Sequence, residues 1–172
     1  HWLVLGKKDD VNAYRRQASE KLNFPATLAF SSEKLTPKTP SASMLTQPLP
    51  ENVKLLTFTS NYADINDGAL LLRLAHLYQV GEHPTLAQPV NVSLANLFAA
   101  DNLEITSAQE MTLGANQDMN AFQAKKLVWD TKSTHRSSRL KSFDRVPFDP
   151  ADSDLTVTIR PMEVRTFLVK VA

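Results

Sequence analysis

Residues 69–82, ALLLRLAHLYQVGE, restrict the fold of this chain more than any other stretch. In an extended backbone Leu70, Leu72, Leu74, His76 and Tyr78 fall on one side, and Ala69, Leu71, Arg73, Ala75 and Leu77 on the other. Both sides are largely apolar, the pattern of a strand covered on both faces and placed inside its sheet. Leu and Ala also suit a helix. The Asn66-Asp67-Gly68 turn just before, and the β-suited run Val53–Thr59 ahead of it, favour the strand. Arg73 on such a strand needs a partner, because an unpaired buried guanidinium is very costly. A structural ion pair with a carboxylate of this chain or of another polypeptide segment is expected. His76 is expected to be a packed, hydrogen-bonded core histidine rather than a ligand.

The other segments read as short strands joined by turns. Residues 2–5 (WLVL) form a candidate buried strand ended by Gly6, and Asp9 or Asp10 is a candidate helix cap. Val11, Tyr14, Ala18 and Leu22 recur at helical spacing, which predicts an amphipathic helix of about three turns, closed by Pro25. Arg15 and Arg16 lie off that stripe, on a solvated face. Residues 26–30 (ATLAF) suit a strand. Residues 31–50 are rich in Pro, Ser and Thr and poor in large apolar side chains, so an exposed loop is expected. Val90, Val92 and Leu94 alternate with Asn91 and Ser93. Leu103, Ile105, Met111 and Leu113 are candidate inward positions of a further strand, and residues 125–129 suggest another. Residues 131–154 read as a solvated, turn-rich loop. Leu155, Val157 and Ile159 alternate with Thr156, Thr158 and Arg160; Pro161 breaks that ladder, and Val164–Val171 reads as the final strand. The sum is a mainly β, antiparallel sandwich with one short N-terminal helix. The organisation expected is residues 1–30 as strand and helix continuing a β domain begun upstream, 31–50 as the exposed loop, and 51–172 as a C-terminal β-sandwich.

Composition narrows the function. Nineteen Lys and Arg against eighteen Asp and Glu give a formal charge of +1, not the concentrated basic charge of a nucleic-acid binder. No apolar run approaches the roughly 20 residues that span a bilayer. There is no cysteine, which leaves the redox compartment open. The four histidines, His1, His76, His83 and His135, have no HExxH or His-x-Asp spacing, so no metal residue is assigned. None of the acids stands in a motif that singles it out for catalysis. Asp64, Asp67, Asp149 and Asp152 sit in turn contexts, where Asp bonds its own backbone. Glu82-His83-Pro84 reads as a turn. Asn91-Val92-Ser93 is the one Asn-x-Ser/Thr sequon and makes Asn91 a candidate glycosylation site. Opening at His1 in an apolar run, the chain reads as a piece of a longer one.

Three ordered motifs carry a family resemblance. Residues 73–82 (RLAHLYQVGE) are similar to an LLLRL-H-(Y/F)-VGE run near the C-terminus of the glycoside hydrolase family 38 α-mannosidases of lysosomal, acidic type. Leu97-Phe98, then 110–117 (EMTLGANQ) and Leu127-Val128-Trp129, resemble that family's "LF … E-x-(T/S)-L-x-(A/S)-N-Q … L-x-W". Residues 161–168 (PMEVRTFL) resemble its terminal "PMEIRTFL". The resemblance implies the C-terminal part of a larger multidomain enzyme that hydrolyses non-reducing terminal α-D-mannose in N-linked glycans with retention. It implies zinc and catalytic carboxylates in a domain outside this chain, so no catalytic, cofactor-binding or metal residue is carried over. It also implies the remaining chains of the same enzyme as partners, neither nucleic acid nor membrane, and a lysosome, acidic vacuole or secreted location, with homodimer assembly left open. The alternative is a non-catalytic carbohydrate-binding module, for which Trp2, Trp129 and the tyrosines are the candidate platforms.

Overall fold

The computed structural model describes residues 3, 5–8, 10–30, 32, 43–62, 68–98, 103–125, 127 and 145–172. The order of elements is α1 (Val11–Asn23), β1 (Val53–Thr59), β2 (Leu70–His76), β3 (Val90–Ser93), β4 (Ile105–Met111), α2 (Met119–Ala124), β5 (Thr156–Ile159) and β6 (Val164–Val171). Two antiparallel sheets form: a four-stranded one in the order β1-β2-β6-β4, and a two-stranded one that pairs β3 with β5 from well apart in sequence. The expected antiparallel β-sandwich is what the chain adopts.

β2 lies inside the larger sheet, as its two-sided apolar pattern requires. Leu72 and Leu74 join Phe167 and Val169 of β6, Ile105 and Ala108 of β4 and Val53 of β1 in one core. Val92 of β3, with Val157 and Ile159 of β5, supplies the facing layer of the same core. The opposite face of β2 is less dry: Leu71 is buried, whereas Arg73 and Ala75 are half-buried. Leu97 and Phe98 close the core at one side, Phe98 stacking on Phe58 with ring centroids 4.5 Å apart. A bulge between Ile105 and Ser107 resets the alternation of β4, so Ala108 and Glu110, not Leu113, follow Ile105 inward. Leu113 lies beyond the strand and is exposed.

Several sequence expectations change at the N-terminal end. Leu3 and Leu5 are exposed at 84% and 82% and belong to no strand, contrary to the buried strand expected there; Trp2 and Val4 of the same stretch lie outside the described residues. Residues 26–30 also lack a ladder, with Leu28 and Phe30 exposed. A strand-suited sequence becomes a strand only beside a partner, and no described segment supplies one. Within residues 31–50, Leu45 and Leu49 pack against the core and Leu45 bridges to Phe98, so the end of that loop is anchored. Residues 33–42 lie outside the description. Of residues 125–129, Lys125 caps α2 and Leu127 is an exposed non-strand residue; the other three lie outside the description.

α1 forms where predicted, but its buried residue is Ala13, packed with Tyr78 and Ala87, while Tyr14 and Leu22 are half exposed. The helix docks by charge rather than by an apolar stripe. Arg15 and Arg16 bond the Glu82 carboxylate at 2.8 and 2.9 Å, Asn12 donates to the Glu82 carbonyl, and Glu20 pairs with Lys54. Arg15 does lie on a solvated face, at 63% exposure, but Arg16 is half-buried; both are tied to Glu82, which does more than make a turn. Burial opposes ionisation of Glu82, but hydrogen bonds from Arg16, the Gln79 N–H and Arg15 outweigh it and hold its pKa below the ordinary 4.5. A lowered pKa means the tie is intact above that value and is lost as pH falls through the lower folded one. Glu82→Gln is expected to loosen α1 by about 1–2 kcal/mol, since one arginine is well exposed and screened. Hydrogen exchange of the α1 amides at pH 6 should rise; unchanged exchange would show that Ala13 and Tyr78 hold the helix unaided.

Candidate functional site

Four charged side chains from segments far apart in sequence meet at one end of the sandwich. β6 lies between β2 and β4, in registers that set Leu74 opposite Arg165 and both Leu72 and Glu110 opposite Phe167. Alternate residues share a face, so Arg165 points between the sheets with Phe167 and Val169, and Glu110 with Ala108. Arg165 is fully buried, at 0% exposure. Glu110 meets it bidentately, Nε donating to Oε1 and Nη2 to Oε2, each at 2.7 Å. Nη1 donates to the Thr158 carbonyl at 2.8 Å, in the facing sheet. One guanidinium thus joins β6, β4 and β5.

Arg145 completes the cluster. Its Nη2 lies 2.7 Å from Glu110 Oε1 and its Nε 3.2 Å from Glu163 Oε1. These contacts are ionic, the two N–H groups not being aligned as hydrogen-bond donors. Burial lowers the pKa of Arg145, the Arg165 charge adds to that, and Glu110 and Glu163 oppose it. Sequence reading placed Arg145 in a solvated loop; nothing in its Arg-rich neighbourhood signals burial. Two arginines balance two glutamates, so neither carboxylate stands free to act as the acid or nucleophile of a glycosidase pair. Beside the cluster lies a cleft of ≈ 600 Å³ lined in part by Val80, Gln88, Pro89, Arg145, Met162 and Glu163.

The residues singled out from sequence are not gathered there. Arg73 donates from Nε and Nη2 to the Leu113 carbonyl at 3.2 and 2.9 Å, and among the described residues it forms no ion pair. The expected carboxylate partner within this chain is replaced by that carbonyl, which a half-exposed guanidinium can use without full charge neutralisation. His76 is buried, with Nδ1 accepting from the Tyr78 N–H at 3.1 Å and Nε2 lying 3.0 Å from the Gln88 carbonyl. Both ring nitrogens are engaged, the arrangement of a core histidine. Asp149 and Asp152 accept hydrogen bonds from nearby backbone N–H groups, as turn aspartates do. Hydrogen bonds from the Thr156 N–H foremost hold Asp152 below the usual carboxylate range. Asp64, Asp67, His1 and His135 lie outside the described residues. Among the described residues no three His, Cys, Asp or Glu side chains converge on a common point, and no helix is long and apolar enough to cross a membrane.

Asn91 sits on β3 with an exposed side chain. Its Oδ1 accepts from the Thr158 hydroxyl at 2.8 Å across the strand pair, and its Nδ2 donates to no described residue.

Comparison with known proteins assigns this architecture. The family model described as "Glycosyl hydrolases family 38 C-terminal beta sandwich domain" matches residues 52–167. Across 99% of the chain it is 43% identical to the lysosomal alpha-mannosidase of Felis catus and 37% identical to that of Bos taurus, spanning 16% of each. It is 30% identical to the alpha-mannosidase of Canavalia ensiformis over 99% of the chain and 17% of that relative. The chain spans about a sixth of the length of these relatives. Of the motifs that meet in the buried cluster, 110–117 and all but the last residue of 161–168 fall in the matched region, and the chain belongs to glycosyl hydrolase family 38 as its C-terminal β-sandwich domain.

Proposed function

We propose that this chain is the non-catalytic C-terminal β portion of a zinc-dependent, retaining α-mannosidase that removes terminal α-D-mannose from N-linked glycans in a lysosome or comparable acidic compartment. The observation that carries the reading is the likeness over 99% of the chain to alpha-mannosidases, among them three lysosomal in name. The cluster of Arg165, Glu110, Arg145 and Glu163 supports a structural role, because every carboxylate in it is committed to an arginine. The described donor set does not fit a zinc site, so in this reading zinc and the catalytic carboxylates belong to polypeptide outside the chain. A glycan-binding module would need an exposed aromatic platform; of the candidates Tyr78 is buried, Tyr62 half-buried and Tyr14 49% exposed on α1, Trp2 and Trp129 lie outside the described residues, and no aromatic lines the cleft. The test is hydrolysis of an aryl α-mannoside at acidic pH by the whole protein and by residues 1–172 alone. Activity only in the whole protein, lost on chelation and restored by zinc, is expected. Hydrolysis by residues 1–172 unaided overturns the reading.

The same reading makes Asn91 a glycosylation site, since a secretory protein passes the modifying enzyme and the Nδ2 amide is unengaged. In protein from its native source, peptides bearing Asn91 should lose a glycan mass on enzymatic deglycosylation. An unmodified Asn91 ends the claim. Asn91→Gln should leave mannosidase activity unchanged, because the strand touches no chemistry.

A further inference from the structure

The turn between β5 and β6 combines strain with exposure. The Glu163 N–H donates to the Arg160 carbonyl at 3.0 Å, Pro161 stands second in the turn, and Met162 stands third with φ +63°. That is the type II pattern, whose third position suits Gly or Asn because a Cβ there is crowded. The turn has no freedom to relax. The Met162 N–H donates to the Tyr78 carbonyl at 3.0 Å, the His76 N–H to the Glu163 carbonyl at 2.9 Å, and the Arg160 N–H to Glu163 Oε2 at 2.9 Å. Glycine would hold this conformation without strain. Met162 instead carries a large apolar side chain that is 62% exposed and gains little by burial within the chain. Such a residue is explained by a contact made elsewhere.

That contact has a shaped surface waiting for it. Pro161 and Met162 line the ≈ 600 Å³ cleft together with Val80, 73% exposed, Ala87 and Pro89. The neighbouring charges of Arg145 and Glu163 are already ion-paired with each other, so an apolar group entering the cleft leaves that pair intact. We infer that this cleft seats an apolar side chain from the upstream, catalytic part of the same polypeptide, with Met162 closing over it. The inference rests on the proposed α-mannosidase reading. The occupant follows from length and position. The family model is that of a C-terminal domain and the chain spans 16% of its mammalian relatives, so on the proposed reading the catalytic part is further polypeptide of the same enzyme, tethered at high effective concentration. An unbranched thioether adapts to such a partner better than a stiff side chain does.

The test uses the full-length enzyme. Oxidation of Met162 by dilute hydrogen peroxide, followed by peptide mass spectrometry, should run at least about tenfold slower in the native enzyme than in the denatured one. A rate within about twofold of the denatured one overturns the inference. A photo-reactive p-benzoylphenylalanine at position 162 then locates the cover. Cross-links to residues upstream of His1 support the inference; cross-links to residues 1–172 or to a second copy, or protection with no upstream cross-link, overturn it. A preparation without mannosidase activity counts against the functional reading, while oxidation and cross-linking still report on the cleft.

Discussion

Glu110→Gln is expected to destabilise the sandwich by about 3–5 kcal/mol, the cost of leaving a buried charge without its partner. Arg165 has no exposed surface, and among the described residues Glu110 supplies its one carboxylate, through two hydrogen bonds of 2.7 Å. The amide can accept one bond but carries no charge, and its NH₂ faces a guanidinium that has nothing to accept with. Arg165→Met should cost less, about 2–3 kcal/mol, because Arg145 stays 2.7 Å from Glu110 and keeps that carboxylate paired. Arg145→Met should cost about 1 kcal/mol, its side chain being 25% exposed and its contacts ionic rather than aligned. The double variant Arg165→Met with Glu110→Leu should recover much of the loss, since an apolar pair of similar volume removes two desolvation penalties together. Urea unfolding of protein containing this chain measures all four. If the two single variants at 110 and 165 each shift stability by less than about 1 kcal/mol, water reaches the cluster and the buried placement fails.

This cluster also marks where sequence reading stops. Each half was visible as a motif, Glu110 in EMTLGANQ and Glu163 with Arg165 in PMEVRTFL. Their meeting was not, because it depends on the β4–β6 register and on the bulge between Ile105 and Ser107, which turns Glu110 inward. Alternation alone would continue from Ile105 and Met111 to Leu113, which is exposed. β2 was legible because its apolar pattern is long, two-sided and preceded by a turn. α1 was legible as a helix but not in its orientation: its docking face is set by Arg15, Arg16 and Glu20 meeting Glu82 and Lys54, partners 34 to 67 residues away. Residues 26–30 have strand chemistry and no strand, because ladder pairing is a property of two segments and propensity of one. α2 escaped notice since its six residues, MNAFQA, carry no periodic stripe; the readable sign was Asp118, whose Oδ1 accepts from the Ala121 N–H at 2.8 Å.

Phe167→Ala is expected to cost about 3–5 kcal/mol, comparable with the buried-charge variant but through a different term. The ring is at 0% exposure on β6, flanked in register by Leu72 of β2 and Glu110 of β4. Truncation removes its transfer free energy and leaves a cavity between two sheets whose hydrogen-bond ladders prevent collapse. The ring also meets Phe148 edge-on, with centroids 5.0 Å apart, and the Arg165 guanidinium lies 5.7 Å from its centre. Phe148 is only half-buried, so Phe148→Ala should cost about 1–2 kcal/mol, losing the edge contact and part of its burial. Phe167→Leu should cost about 1–2 kcal/mol, close to Phe148→Ala and well below Phe167→Ala, because most of the volume stays. Against the 5–15 kcal/mol typical of a folded domain, the alanine change alone could unfold this one at body temperature. Denaturant midpoints for the three variants give the order. If Phe148→Ala proves as costly as Phe167→Ala, the core is centred nearer the segment before β5 than the β2–β6 pair, and the packing described here is wrong.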